Sequence, residues 1–272
     1  MNPLTKPIIV IKLGGSVLDN TLYLQQLCTD ILKIHQANYR IVIVHGGGKA
    51  ISQALIHHNI DSYFINGLRV TSQAAINIIQ QVLCKQLNPA IVRQLNTSGL
   101  PALGLNGADQ QLLLCQAHSA QHGYVGDIQT INSELIHHLI THPSEFVPVI
   151  APLGIDQQGM LFNVNADYVA SAIAIAVNAQ QLVYITDQNG IYDQQRRPIP
   201  EINLQQLSEL QARAIISDGM LPKVDAIMMA LHANIACVHI INGKQKYALS
   251  QQLLNHQTSG TLCHLHAKRS YA

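Results

Sequence analysis

The sequence predicts an α/β protein in which helices cover both faces of a mainly parallel sheet, a three-layer αβα sandwich. Short β-branched runs bounded by glycine alternate with longer segments of helical period, the pattern of parallel strands joined by helices. No repeat period and no linker rich in Pro, Gly or Ser divides the 272 residues. We therefore expect one domain over residues 1–272, with two lobes that share one sheet.

The first two predicted units each consist of a strand, a glycine turn and a helix. Residues 8–11 form the first β-branched run, residues 14–16 form the turn, and apolar side chains from Leu24 to His35 share one helical stripe. A second strand at residues 40–44 again leads through glycines into a helix, around residues 51–56. Because the carboxyl ends of parallel strands lie at one edge of a sheet, both turns are expected to face one crevice.

The later segments continue this alternation of strands and helices. The predicted elements are a helix from Ile76 toward Leu95, a strand at 101–105, a hairpin strand at 110–115, a strand at 147–150, a buried helix at 166–177, a strand at 182–185, helices at 204–211 and 222–234, and a strand at 237–241. The chain thus predicts strands and helices over most of its length.

Composition excludes two classes of partner. Charged residues make up 11% of the chain and the formal net charge is +1, so no global field recruits nucleic acid or an anionic membrane. Aromatic residues make up 4% of the chain, which is too few for the side chains on which proteins that bind single-stranded nucleic acid stack the bases. The longest apolar run, residues 169–177, is far shorter than the ~20 residues of a membrane span. A small-molecule partner is predicted, with no nucleic acid and no membrane.

The cysteines point to a reducing compartment. There are five, widely spaced and never in a C-x-x-C pair, so neither a disulfide framework nor a zinc site is indicated. A cytoplasmic location is therefore expected. Paired carboxylates of the kind that bind magnesium are also lacking from the motifs, so no metal held by protein ligands is predicted.

The first glycine turn has the features of an anion site. In Lys12-Leu13-Gly14-Gly15-Ser16 the glycines allow backbone N–H groups to approach an anion, the helix start adds its positive dipole end, and Lys12 adds a full charge. The motif matches neither G-x-G-x-x-G nor G-x-x-x-x-G-K-[ST], which disfavours Rossmann and Walker-type cradles. Taken alone, it is equally consistent with a plain turn and a solvated lysine.

The second glycine turn favours the functional alternative. Three consecutive glycines in His45-Gly46-Gly47-Gly48 cost backbone entropy that a simple chain reversal does not require. Two glycine turns at neighbouring strand ends therefore indicate a ligand crevice. For His45 itself, a packing or hydrogen-bonding role is favoured over acid–base chemistry, because no carboxylate stands beside it in the sequence.

Three further motifs place charged side chains beside glycines or helix starts. Arg69 could bind a substrate carboxylate through two hydrogen bonds from its planar guanidinium, or it could form a surface salt bridge. Asp167 is at the start of an apolar helix, and capping that helix is its default role. The alternative is that Asp167 orients cationic groups while Asn163 hydrogen-bonds a substrate. Lys223 stands at a predicted helix start, where a cation is disfavoured unless an anion is close. A phosphate between Lys12 and Lys223 would supply that anion.

In this order, the blocks around Lys12, His45, Arg69, Asp167 and Lys223 resemble the amino acid kinase superfamily over nearly the whole chain. The blocks with Arg69 and Asn163 resemble those members that phosphorylate N-acetylglutamate. The resemblance implies the amino acid kinase fold and a transfer of the γ-phosphoryl group of ATP, with Mg²⁺ held mainly by the nucleotide phosphates. The acceptor would be the side-chain carboxylate of N-acetyl-L-glutamate, giving N-acetyl-L-glutamyl 5-phosphate, a step of arginine biosynthesis.

The resemblance also implies roles for individual residues. Lys12 and Lys223 would stabilise charge on the transferred group, and Asp167 would hold both ammonium groups. The implied ligand contacts are backbone N–H groups of Gly14, Gly15 and Gly47 for the phosphoryl group, and Gly47, Gly48, Arg69 and Asn163 for N-acetylglutamate, in a lobe of residues 1–178. Those for ATP, in a lobe of residues 179–272, are Thr186, Asp187, Gly190, Ile191, Tyr192, Ile215, Ser217, Gly219, Met220 and Lys223.

Two positions depart from the family pattern. No glycine follows Asp109, and Pro89 stands where a lysine is common. These departures concern the shape of a loop and the geometry of a helix, and neither touches the residues of the implied reaction.

The resemblance implies an oligomeric state and leaves two other functions open. Only residues 1–7 precede the first predicted strand, whereas arginine-inhibited members carry an extra N-terminal helix that helps to build hexamers. An arginine-insensitive homodimer is therefore expected. The alternatives are a kinase of the same superfamily acting on glutamate, aspartate or an aminoadipate derivative, and a non-catalytic sensor of nucleotides or amino acids.

Overall fold

A computed structural model describes residues 6–216, 219–255, 257 and 259–265. Its strands are β1 (Ile8–Leu13), β2 (Arg40–His45), β3 (Phe64–Ile65), β4 (Leu68–Arg69), β5 (Ala102–Asn106), β6 (Leu113–Ala117), β7 (Gly126–Ile131), β8 (Val147–Ala151), β9 (Leu153–Ile155), β10 (Leu161–Asn163), β11 (Gln181–Thr186), β12 (Ile191–Tyr192), β13 (Pro198–Ile199), β14 (Glu201–Asn203), β15 (Cys237–Asn242) and β16 (Gly260–His264).

Helices connect most of these strands. They are α1 (Gly15–Leu18), α2 (Thr21–Gln36), α3 (Gly48–His57), α4 (Gln73–Gln80), α5 (Asn88–Thr97), α6 (Ser133–Thr141), α7 (Ala166–Ala176), α8 (Leu204–Ala212), α9 (Leu221–His232) and α10 (Ala248–Leu254). A π-helical segment, Gln81–Leu87, joins α4 to α5. Within the described residues, no helix is both long and apolar enough to cross a bilayer.

The central sheet has eight strands in the order β14-β16-β15-β11-β1-β2-β8-β5 within the described chain. Neighbouring strands are parallel, with the exception of the antiparallel pair β15 and β16. The predicted mainly parallel sheet is therefore confirmed. The boundary that the sequence predicts between two lobes, near residue 178, falls between β1 and β11, which are adjacent in this sheet.

Helices cover both faces of the sheet, as the alternation of elements predicts. Within β1, Ile9 and Ile11 belong to a core with α2 and α10, whereas Ile8 and Val10 belong to a core with α7 and α9. The three-layer sandwich is confirmed. Because side chains alternate along a strand, Lys12 continues the row of Ile8 and Val10 and faces α7.

Several short elements carry no clear signal in the sequence. A second sheet has the order β10-β9-β6-β7, and two small hairpins pair β3 with β4 and β12 with β13. The predicted hairpin strand at 110–115 begins only at Leu113, because a 3₁₀ turn occupies Asp109–Gln111. Helix α9 ends at His232 and not at residue 234, where the backbone of Asn234 is left-handed, with φ of 66°.

The two departures from the family pattern have visible structural counterparts. Pro89 is in the first turn of α5 and has no N–H to donate to the preceding turn, and the helix before it widens into the π-helical segment. Gln110, directly after Asp109, has φ of 52°, a conformation that glycine adopts freely and other residues at about 1–2 kcal/mol. The missing glycine therefore leaves a strained residue in this loop.

Candidate active site

Backbone hydrogen bonds hold the carboxyl ends of neighbouring central strands together. The N–H of Gly14 donates to the carbonyl oxygen of Ile185, and that of Gly46 donates to Leu13, each at 2.9 Å. A Cβ on Gly14 would lie 2.7 Å from the Ile185 oxygen, so this close approach requires glycine. The two glycine turns therefore lie side by side at one sheet edge, as the sequence predicts.

A cavity of about 850 Å³ opens at this edge. It is lined by residues from the glycine turns and from the arginine, asparagine and aspartate motifs, which are remote in sequence. The predicted site residues that line it are Lys12, Gly14, Gly15, Gly47, Gly48, Arg69, Asn163, Asp167, Thr186 and Asp187. The fold thus gathers most of the predicted site around one open space.

Two lysines meet on the carboxylate of Asp167. The Nζ atom of Lys12 lies 2.8 Å from Oδ1, and the Nζ atom of Lys223 donates to Oδ2 at 2.9 Å. Each of the three side chains is only 10–13% exposed. The cluster carries two positive charges and one negative charge, so it leaves a net positive charge next to the cavity.

The charges within the cluster support one another. Burial alone would raise the pKa of Asp167, but attraction and hydrogen bonding from Lys12 and Lys223 bring it well below its usual range. Burial lowers the pKa of Lys223, and the charge of Asp167 opposes that shift. Asp167 is therefore a carboxylate at neutral pH, and its charge favours the ammonium form of Lys223.

Helix capping is not the role of Asp167. The N-cap of α7 is Asn165, whose side-chain oxygen accepts the backbone N–H of Asp167 at 2.8 Å. This leaves the carboxylate of Asp167 free to bind the lysines. Of the two interpretations that the sequence left open, the structure favours the orientation of cations.

Arg69 is a buried cation next to the glycine turn. Its Nη2 atom donates to the carbonyl oxygen of Gly48 at 3.0 Å and to Ser52 Oγ at 2.8 Å, and its Nη1 atom donates to Ser62 Oγ. Its guanidinium also stacks over Phe64, 4.6 Å from the ring centroid. Within the described residues no carboxylate pairs with this guanidinium, and Arg69 is only 8% exposed. The guanidinium is therefore suited to bind an anion in the cavity that Arg69 lines.

Asn163 borders the same cavity from β10. Its side-chain nitrogen donates to Thr71 Oγ1 at 3.2 Å, and its backbone N–H donates to the carbonyl oxygen of Tyr124 at 2.9 Å. These bonds fix the amide at the cavity wall, and its side-chain oxygen can accept a hydrogen bond from a ligand.

His45 supports the second glycine turn through hydrogen bonds at both of its ring nitrogens. Burial lowers its pKa to about 4, so the imidazole is neutral. Its Nδ1 donates to the carbonyl oxygen of Gly46 at 3.0 Å, and its Nε2 accepts from Asn88 Nδ2 at 3.2 Å. Asn88 also donates to Val149 in β8 at 2.8 Å. The structural role that the sequence favours for His45 agrees with these contacts.

The predicted nucleotide residues divide into two groups. Thr186 and Asp187 line the cavity directly. Others are not among the lining residues: Gly190, Ile191, Tyr192, Ile215, Gly219, Met220 and Lys223. Of these, Lys223 contacts Asp167, which does line the cavity. Ser217 lies outside the described residues. Contacts of all these residues with a nucleotide remain a prediction.

Several residues at this cavity do not follow from the motifs. Lys49, which pairs with Asp19 at 3.1 Å, and Lys244 both line it. Lys49 directly follows the triple glycine, and Lys244 follows the end of β15 at the same sheet edge. Both could have been predicted, because ligands bind at the carboxyl ends of the strands in open parallel sheets. Among the described residues, no group of three or more His, Cys, Asp or Glu side chains could hold a metal ion.

The parallel sheet with glycine turns and paired lysines at one edge defines the class of protein. Residues 7–242 match the sequence profile of the amino acid kinase family, and the chain belongs to this family. It is therefore a kinase, a phosphotransferase by class. The resemblance drawn from the motifs is confirmed.

Individual relatives agree with the finer part of that resemblance. The chain is 36% identical over 258 residues to a Synechococcus protein named acetylglutamate kinase, covering 93% of this chain and 85% of the relative. It is 37% identical over 254 residues to the acetylglutamate kinase of Pelagibacter ubique, covering 93% of this chain and 87% of the relative. The activity that the sequence motifs imply is thus the one for which these relatives are named.

Solved structures share the fold. The crystal structure of smu.665 from Streptococcus mutans superposes with a TM-score of 0.82 at 29% identity, covering 95% of this chain and 99% of that one. N-acetylglutamate synthase from Neisseria gonorrhoeae, complexed with coenzyme A and N-acetyl-glutamate, gives 0.85 at 21% identity, covering 96% of this chain and 60% of that one. The second likeness shows the fold alone.

Proposed function

We propose that this protein transfers the γ-phosphoryl group of ATP to the side-chain carboxylate of N-acetyl-L-glutamate, a step of arginine biosynthesis. The observation that carries the proposal is the Lys12–Asp167–Lys223 cluster, of which Lys12 and Asp167 line the same cavity as Arg69. The cluster supplies positive charge for a phosphoryl group, and Arg69 supplies a separate anion-binding group for the acceptor. The names of the curated relatives support the same acceptor.

The chemistry needs positioning and charge and no general base. A new bond forms between an oxygen of the acceptor carboxylate and the γ-phosphorus, while the bond from that phosphorus to the oxygen bridging to the β-phosphate breaks, leaving ADP. The attacking carboxylate is already ionised, so no proton has to be removed. Lys12 and Lys223 stabilise the negative charge on the moving group and on the leaving phosphate, and Asp167 holds both ammonium groups.

The two substrates would occupy different sides of the cavity. Arg69, Asn163 and the backbone of Gly47 and Gly48 bind the acetylated amino acid, in the lobe of residues 1–178. Thr186 and Asp187, at the end of β11, open the nucleotide side, in the lobe of residues 179–272. Backbone N–H groups of Gly15 and Gly47 lie between the two sides and favour an anion there. The N–H of Gly14, which the resemblance also implies as a phosphoryl ligand, already donates to the carbonyl oxygen of Ile185 and is not free for that role.

Magnesium accompanies ATP in this proposal. Asp187 is a carboxylate at the nucleotide side, but the described residues provide no cluster of acidic ligands. The fit is therefore to an ion carried mainly by the nucleotide phosphates, whose charge Mg²⁺ would offset. The residues of this chain then bind the phosphates and not the metal.

A panel of acceptors with Mg²⁺ and ATP tests the proposal. Production of ADP is measured with N-acetylglutamate, glutamate, aspartate and N-acetylaminoadipate, and N-acetylglutamate is expected to be turned over best. Faster turnover of free glutamate would show that glutamate, and not N-acetylglutamate, is the acceptor. Binding of ATP without turnover of any acceptor would favour the sensor, the alternative of a different class.

We further propose a homodimer in the cytosol. All five cysteines are free thiols, which a reducing compartment preserves. Light scattering is expected to give the mass of a dimer, and activity is expected to be insensitive to arginine. A hexamer, or inhibition by arginine at millimolar concentration, would contradict this part.

A further inference from the structure

Tyr184 lies directly beside the lysine–aspartate cluster. It stands opposite Lys12 in the parallel register of β11 and β1, and both side chains face α7. The tyrosine is 0% exposed and is the largest of the fully buried side chains in the described chain. Because the proposed function does not use it, a buried hydroxyl at this place requires another explanation.

The hydroxyl of Tyr184 connects the elements that carry the cluster. Its oxygen lies 2.6 Å from Ser171 Oγ and 3.2 Å from the backbone carbonyl oxygen of Asp167, both in α7. Ser171 donates in turn to the carbonyl oxygen of Ala226 in α9. This chain of contacts joins β11, the helix with Asp167 and the helix with Lys223.

The ring of Tyr184 contacts the cluster as well. The Nζ atom of Lys223 lies over the ring, 5.0 Å from its centroid. A cation over an aromatic face at this distance is attracted by the ring quadrupole, and the attraction is stronger where water is excluded. Lys223 is 8% exposed, so the contact is largely shielded from water.

We propose that Tyr184 is a positioning residue for phosphoryl transfer: its hydroxyl aligns Asp167 and Lys223, and its ring stabilises the Lys223 ammonium. This role rests on the proposed function, because it is exerted on the residues that carry that reaction. Tyr184 itself does not reach the cavity lining. It acts through the cluster and not on the substrate.

The charged and titratable groups around Lys223 make the role of the ring measurable. They are Asp167 from α7, Lys12 from β1, Asp187 after β11, and Tyr184 itself. Burial and the charge of Lys12 lower the pKa of Lys223, whereas Asp167 and Asp187 raise it. Burial and the charge of Asp167 raise the pKa of Tyr184 well above its usual range, so it stays a neutral phenol. Removing the ring takes away one of the interactions that favour the charged lysine.

Two substitutions separate the hydroxyl from the ring. Tyr184→Phe keeps the ring and removes the hydroxyl, and kcat is expected to fall about 3- to 10-fold, the loss of one buried hydrogen bond. The KM for both substrates should stay within about twofold, because the substrate contacts are intact. Tyr184→Leu removes both features and should lower kcat further. The matched control is Tyr168→Phe, in the same helix as Asp167, whose hydroxyl lies 3.5 Å from Asp225.

A titration of Lys223 provides a readout independent of turnover. The ¹³Cε signal of Lys223, assigned with Lys223→Arg, is followed with pH in the protein without substrates. Tyr184→Leu should lower the pKa of Lys223 by about half a unit to one unit, and Tyr184→Phe should leave it near the wild-type value. The alkaline limb of the kcat profile should move in the same way.

The outcomes distinguish this proposal from the proposed function. If wild-type protein turns over no acceptor, the proposed function fails, while the lysine titration still tests the ring. Wild-type kcat in Tyr184→Phe, or an unchanged lysine pKa in Tyr184→Leu, overturns the positioning role. If Tyr184→Leu does not fold, kcat and KM are measured for Tyr184→Phe and Ser171→Ala instead. A change in KM with an unchanged kcat in these variants counts against the proposal.

Discussion

The Nζ atom of Lys12 lies 2.8 Å from Oδ1 of Asp167, which joins the end of the first strand to the first turn of a helix more than half the chain away. The second carboxylate oxygen receives Lys223. One carboxylate thus fixes the direction of two ammonium groups from separate elements. The excess positive charge that remains explains why an anion is expected in the adjoining cavity.

Replacing Asp167 with Asn is expected to impair both stability and turnover. The substitution leaves two buried ammonium groups without their carboxylate, which typically costs about 3–5 kcal/mol in the free energy of unfolding. Urea unfolding measures this loss, and kcat is expected to fall about a hundredfold or more because the lysines lose their alignment. Asp61→Asn, at an exposed position, is the control. Equal stability in the two variants would contradict the account.

Replacing Arg69 with Ala should act on one substrate only. Loss of its charge-assisted hydrogen bonds to a carboxylate predicts an increase of about 10- to 100-fold in KM for N-acetylglutamate. The KM for ATP should remain unchanged within about twofold. Steady-state kinetics with each substrate varied separately tests this, with exposed Arg93→Ala as the control. An equal rise in both KM values would show that Arg69 does not discriminate between the two sides of the cavity.

Two glycine substitutions should have opposite consequences. Gly14→Ala places a Cβ 2.7 Å from a backbone oxygen, so the strand ends must move and the melting temperature should fall. Gly48→Ala meets nothing within 4 Å, so its stability should match that of the wild type. Its methyl group would occupy substrate space at the cavity and should raise KM for N-acetylglutamate. Similar melting temperatures for both variants would refute the close approach of β1 and β11.

Acid should destabilise the protein through buried histidines. Burial lowers the pKa of His45 and of His239 to about 4, whereas an unfolded histidine titrates near ~6.5. Between these values the unfolded state binds protons that the native state does not, so stability falls as the pH drops through this window. The loss at pH 5 is about 2 kcal/mol for each histidine.

Urea unfolding at pH 7 and pH 5 measures this loss. His239→Gln should lose less stability between the two pH values than the wild type, because one of the buried histidines is gone. The exposed His57→Gln is the control and should behave as the wild type does. An identical pH dependence in His239→Gln and the wild type would show that this histidine is not held neutral.

The sequence predicted those features that follow from local patterns. The β-branched runs predicted β1, β2, β8, β11 and β15, and the glycine turns after β1 and β2 predicted the edge at which the cavity opens. Parallel strands place their carboxyl ends together, so the contact between Lys12 and Asp167 could be predicted from the positions of their motifs. The contact of Lys223 with the same carboxylate agrees with the prediction that the two lysines converge.

Other features depend on packing and leave no local signal. In the sequence, Tyr184 looks like an ordinary core residue of an apolar strand. Only the pairing of β11 with β1, which sets it opposite Lys12, shows where its hydroxyl lies. The short strands β9 and β10 have three residues each, too few to show a period. The helix Ser133–Thr141, by contrast, does have local signals, because Asn132 caps it and its apolar positions follow a helical period.

The most direct measurement of the central claim is the kcat of Lys12→Ala and Lys223→Ala at saturating ATP and N-acetylglutamate. Each variant is expected to lose about a hundredfold or more, and the double variant much less than the product of the two losses, because the lysines act on one group. Lys246→Ala, at an exposed position, should retain wild-type kcat. Folded single variants that both keep wild-type turnover would contradict the account.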